Sequence, residues 1–186
     1  MDALKKKSKK KIVVKRNNGK FAVESGRISV PDIPAARGVI NGNLKIDDED
    51  DINIEFRGDD VREELYFLRK PNYFFLLAKK EEAPYTQLII TGDELKVGSH
   101  QIGWEPHEVK AEFLRDGSTG EHQMESRGLL TVLSITEQGE LDVIEGHFSF
   151  NYIDINQEKP RDVVVSCPLF RLRVLRLKGL ETRDQA

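Results

Sequence analysis

The segment "GHFSFNYI", residues 146–153, sets Phe148, Phe150 and Tyr152 on one side of the chain and His147, Ser149 and Asn151 on the other. A period of two belongs to extended chain, because successive side chains of a strand point to opposite faces of a sheet. The segment therefore predicts a strand with an aromatic face turned to a core and a polar face turned away. "PLFRLRVLRL" repeats the arrangement, with Phe170, Leu172 and Val174 opposite Arg171 and Arg173. Beyond Val174 the alternation shifts, Leu175 and Leu177 joining the arginine side, which predicts a bulge near Val174 or an exit from the sheet.

Short runs of the same kind recur along the chain. "GVINGNLKI", "DINIEF", "NYFFLLAKK", "TQLIITG", "ELKVG", "VKAEFLRD" and "GLLTVLSITE" each read as a strand, and turn residues separate them. Asn18-Gly19, between "KIVVKR" and "KFAVES", predicts a hairpin, since a two-residue type I′ turn needs positive φ at both positions. The expected fold is all-β: a sandwich or barrel of about nine or ten mostly antiparallel strands. One short helix is expected within it, over Asp60 to Lys70 in "GDDVREELYFLRKP". There Asp60 and Glu63 fit a capping box, Arg69 and Lys70 trail in the sense the helix dipole favours, and Pro71 ends the run.

At 186 residues, with no linker rich in Gly, Pro or Ser and no internal repeat, the chain fits one β-domain over residues 11–178. A basic arm, residues 1–10, is expected before it and a short tail, residues 179–186, after it. The first twenty residues carry eight Lys and one Arg against one Asp, a charge of +8. The whole chain carries −3, so the remainder carries −11. The arm residues Lys5, Lys6, Lys7, Lys9, Lys10 and Lys11 are thus candidates for docking on an acidic surface. The natural counterpart is the run "DDEDD": Asp47, Asp48, Glu49, Asp50 and Asp51. It does not fit a calcium-binding EF-hand loop, which needs Gly at its sixth position, where this chain has Ile52.

No motif carries a chemistry. The single cysteine, Cys167, excludes an internal disulfide, fits a reducing, cytoplasmic setting, and lies in an apolar run expected in the core. The histidines His100, His107, His122 and His147 show no zinc-ligand spacing, and no nucleophile-elbow context occurs. Neither catalysis nor a metal or other cofactor is expected, and no apolar run is long enough to form a transmembrane segment.

The layout "SRGLLTVLSITEQGELDVIEGHFSFNYID", followed by "VVVSCPLFRL", resembles the C-terminal half of uncharacterised β-rich domains in surface lipoproteins of Bacteroidetes. The resemblance covers residues 126–172 and implies a calycin-like or sandwich fold without implying an activity. The expected function is that of a non-catalytic structural or interaction protein, a subunit of a larger assembly tethered through its basic arm to a protein partner or a second copy. An alternative is a β-barrel holding a small apolar ligand against Trp104, Phe148, Phe150 and Tyr152. A third is a nucleic-acid-binding accessory protein acting through the arm.

Overall fold

The computed structural model describes residues 14–17, 20–23, 35–47, 49–59, 63–80, 84–115, 123–155 and 158–176. They belong to two compact units, Met1–Ile33 and Pro34–Ala186. In the first, β1 (Val14–Asn17) and β2 (Lys20–Val23) pair antiparallel with Asn17 opposite Lys20. Two residues remain to join them, the loop length that the Asn-Gly signal predicts.

Among the described residues the second unit contains ten strands: β3 (Arg37–Ile46), β4 (Ile52–Arg57), β5 (Glu63–Lys70), β6 (Tyr73–Lys80), β7 (Thr86–Gly92), β8 (Gly98–Ile102), β9 (Lys110–Arg115), β10 (Gln123–Gln138), β11 (Leu141–Asp154) and β12 (Arg161–Leu175); the expected strand "ELKVG" is instead a loop that meets β8 only at Gly98. They form two antiparallel sheets, one of six strands in the order β4-β3-β12-β11-β10-β8 and one of four in the order β5-β6-β7-β9. The sheets do not close into one barrel; they face each other across a shared core, as in a sandwich. Among the described residues there is no helix, and so none long and apolar enough to cross a membrane.

Alternation builds the core from both sides. The six-stranded sheet contributes Ile40, Leu44, Phe56, Ile144, Phe148, Phe150 and Leu172, and the four-stranded sheet Leu65, Phe67, Leu76, Leu88 and Phe113, all buried. The predicted aromatic face of β11 is the centre of this layer. The Phe148 ring lies 6.2 Å from both Phe150 and Phe170, and Phe150 lies 6.4 Å from Tyr152. Gly146 makes room for it, since a Cβ there would stand 2.4 Å from the Thr131 carbonyl oxygen and 2.6 Å from the Phe170 ring.

The sheets are joined by polar contacts as well. On β11, Asp142 is buried and accepts from Arg69 of β5 at 3.3 Å and from Arg176 Nε at 2.9 Å. Farther along the same strand the Tyr152 hydroxyl donates to the Phe113 carbonyl of β9 at 3.3 Å. Gln123 of β10 makes two bonds to the same residue: its side-chain oxygen accepts from the Phe113 N–H at 3.1 Å, and its amide donates to the Phe113 carbonyl.

The structure corrects the expected helix. Glu63–Lys70 is strand β5, paired with β6 along its whole length from Glu63 opposite Lys80 to Lys70 opposite Tyr73. Leu65 and Phe67 alternate into the core, a two-residue period that a helix would break. Glu63 does not serve as a capping-box acid over the described part of the segment. Its carboxylate accepts from the backbone N–H of Arg57 and pairs with Lys80 at 3.1 Å. Residues 60–62 lie outside the described residues.

The irregularity in β12 lies earlier than Val174. The register shifts between Ser166 and Leu169 against β3, and between Gly146 and Phe148 on the β11 side. Pro168 is there, in a strand with neighbours on both sides. A proline cannot donate to a ladder, so it is accommodated at a bulge. The strand ends at Leu175, half-exposed on the arginine side, so the change of alternation beyond Val174 marks an exit from the sheet.

Candidate functional site

The bulge lifts Pro168 and Leu169 at the border of a groove of about 910 Å³ on the outer face of the six-stranded sheet, where β4, β3 and β12 lie side by side. Its lining includes Arg37 and Val39 from β3, Arg57 from β4, and Leu169, Arg171 and Arg173 from β12. Register explains the gathering. Arg37 stands opposite Arg173, and Val39 stands between Arg171 on one side and Arg57 on the other. Four arginines therefore hold register positions beside or next to that of one valine. Leu169, 55% exposed, extends the apolar floor.

The charges in the groove are unequally matched. Arg57 pairs with Glu55 at 2.8 Å, and the hydrogen bond and charge of that carboxylate raise the Arg57 pKa. Arg171 pairs with Glu145 at 3.2 Å, and Asp59 lies on the groove lining. Arg37 and Arg173 have no carboxylate partner among the described residues. Like charges set directly opposite on neighbouring strands repel. A guanidinium is a planar fork that suits carboxylate or phosphate oxygens, so an anion seated between the two would relieve the repulsion.

Gly38 shapes the floor. Its φ is +140°, and a Cβ would stand 2.0 Å from the Arg171 carbonyl oxygen. Only glycine lets β3 and β12 approach this closely between the Arg37 and Val39 rows.

The acidic run maps to the turn joining β3 to β4, at the far end of that hairpin from the groove. Asp47, at φ +45°, holds the turn against β12: its Oδ1 accepts from the Asp162 N–H at 2.8 Å, and its own N–H donates to the Asp162 carbonyl at 2.9 Å. Glu49 is 3.8 Å from Arg161. Asp50 and Asp51 are exposed and have no partner among the described residues. Asp48 and the arm lysines Lys5, Lys6, Lys7, Lys9, Lys10 and Lys11 lie outside the described residues.

The four rings read as an alternative ligand site fall into two places, three in the core and one in a loop. Phe148, Phe150 and Tyr152 are buried against one another and against Phe170, and burial raises the Tyr152 pKa. Trp104 lies in the loop between β8 and β9. Lys110 spans that loop, its Nζ 5.8 Å from the indole centre while donating to the carbonyls of Gly103 at 2.8 Å and Glu105 at 2.7 Å. Cys167 is buried in the core, and burial pushes its pKa up to about 11. Among the described residues no group of three His, Cys, Asp or Glu is disposed to hold a metal ion.

Sequence reasoning placed Arg171 and Arg173 on the polar face of a strand but did not single out Arg37 or Arg57. The signal that unites them is strand register, which brings "ARGV", "FRGD" and "FRLR" into adjacent rows. No family model matches the chain, and neither a curated protein nor a solved structure matches it.

Proposed function

We propose that this protein is a non-catalytic interaction module whose working surface is the arginine groove over β4, β3 and β12, and that it binds an acidic segment of a protein partner. The observation that carries the reading is the Arg37–Arg173 pair: two guanidinium groups face each other across a ladder with no carboxylate of their own among the described residues. They are flanked by Arg57 and Arg171 and floored by Val39 and Leu169. An extended peptide alternating carboxylates with small apolar side chains would fit both features, its acids meeting the arginines and its apolar groups the floor. The lysine arm has no part in this reading.

The test is a titration of fluorescently labelled oligoglutamate against the full chain and against the Arg37→Glu, Arg173→Glu double variant. Binding that weakens as salt rises and drops at least tenfold in the variant supports the groove. Equal binding by both proteins, or none by the parent, removes it. A labelled single-stranded oligonucleotide, run in parallel, reveals a nucleic-acid preference if it binds through the groove more tightly than the peptide does.

A further inference from the structure

The groove and the acidic turn sit at opposite ends of one rigid hairpin. Arg37 begins β3 and Arg57 ends β4, while Asp50 and Asp51 lie in the turn between the two strands. Ten residues of extended chain separate the ends of β3 by about 30 Å. That strand is hydrogen-bonded between β4 and β12, so it cannot fold back to bring the turn to the groove. The two charged ends of the hairpin are thus complementary but cannot meet within one molecule.

Resting on the groove reading above, we infer that the partner is a second copy of this chain, whose β3–β4 turn inserts Asp50 and Asp51 between Arg37 and Arg173. The stoichiometry of unmatched charge is the argument. Two arginines in the groove have no carboxylate among the described residues, and two exposed carboxylates in the turn have no cation among them. Of the other described charges there, Arg57 pairs with Glu55, Arg171 with Glu145, Glu49 with Arg161 and Asp47 with the Asp162 backbone, while Asp59 on the groove lining adds to the negative charge beside Arg57. Those engagements also hold both surfaces in shape before they meet. Asp47 fixes the turn against β12, and Gly38 lets β12 lie close to β3 beneath the arginines.

Such a contact joins unlike surfaces, head to tail. Each copy that accepts a turn still offers its own, so association continues into rings or open chains rather than stopping at a symmetric pair. Exposed ion pairs are individually weak and strongly screened, so assembly should require high protein concentration and low salt.

The experiment is light scattering with sedimentation velocity on the full chain, from about 10 to about 500 µM, in about 25 mM and about 300 mM salt. It includes a groove-reversed variant (Arg37→Glu, Arg173→Glu), a turn-reversed variant (Asp50→Lys, Asp51→Lys) and the combination of all four substitutions. All substituted side chains are exposed, and circular dichroism checks that each variant folds; a variant that does not is replaced by its glutamine or asparagine counterpart. The parent is expected to gain mass with concentration at low salt and to lose it at high salt. Each reversed variant alone should remain monomeric. Mixing the two should restore association into alternating rings or chains, because each groove then meets a turn of opposite charge on the other variant. The fourfold variant should associate again. A monomeric parent at low salt, variants that associate like the parent, or a mixture that stays monomeric overturns self-assembly. If the monomeric parent nevertheless binds oligoglutamate through the groove, self-assembly alone is wrong. If groove reversal leaves oligoglutamate binding unchanged, the groove reading itself fails.

Discussion

Arg37 on β3 and Arg173 on β12 are direct cross-strand neighbours on the solvent face of the six-stranded sheet. A like-charged pair in register works against the fold, by roughly 0.2–1 kcal/mol. Replacing Arg37 with threonine, a good strand former without charge, should therefore raise stability by about 0.5 kcal/mol while weakening the binding of an acidic peptide. Urea unfolding and the peptide titration on one preparation would reveal the two opposite changes. A surface that gains stability when its charge is removed is behaving as a site rather than as scaffold.

Glu112 on β9 is 5% exposed, and burial pushes its pKa up from 4.5 to about 7. The native state then holds its proton at pH values where the unfolded chain has already released it. Stability attributable to this group is accordingly greatest below pH 4.5, falls between pH 4.5 and about 7, and is flat above. Glu112→Gln should remove that slope, making the variant more stable than the parent at pH 8 by up to about 3 kcal/mol and no more stable at pH 4. Thermal melts of both proteins across that range check the sign.

Asp142 receives two arginines from different parts of the fold, Arg69 and Arg176, and Arg176 also reaches Glu137 at 2.8 Å. The Asp142 side chain is 6% exposed, so deleting its charge leaves two guanidinium groups facing a buried neutral amide. Asp142→Asn should destabilise by about 3 kcal/mol, toward the lower end for a broken buried pair because both arginines keep some access to water. Asp142→Asn combined with Arg69→Met should recover part of the loss, which a double-mutant cycle would measure.

Phe148 packs between Phe150 and Phe170 in the core, and Phe148→Ala should cost about 3–5 kcal/mol. Cys167 reports the same layer chemically. Buried, with its pKa raised to about 11, it should not react with a thiol reagent at neutral pH until denaturant opens the core. The denaturant midpoint of labelling should coincide with that of unfolding in the parent and move down together with it in Phe148→Ala.

The strands were legible because burial on one face of a sheet imprints alternation, as in "GHFSFNYI". The same rule covers the segment that misled. "EELYFLRK" carries helix-compatible ends, yet Leu65 and Phe67 obey period two, and β6 supplied the neighbour that settled the competition. The bulge at Pro168 could be expected from a proline within a central strand, but its place in the sheet order could not. The groove was the least legible feature, since each of its arginines reads alone as the polar face of a strand. Only register shows that Arg37, Arg57, Arg171 and Arg173 share two adjacent rows. The acidic turn was legible as a charge run, and its separation from the groove became visible only once both ends of one hairpin were in place.

The most direct measurement is a set of proton–nitrogen spectra of the arginine Nε–Hε groups of the full chain, recorded while an acidic peptide is added. Arg37 and Arg173 should shift first and furthest, with Arg57 and Arg171 following and Arg69 and Arg176 unmoved. Shifts confined to arginines outside the groove, or none at saturating peptide, would contradict the groove reading.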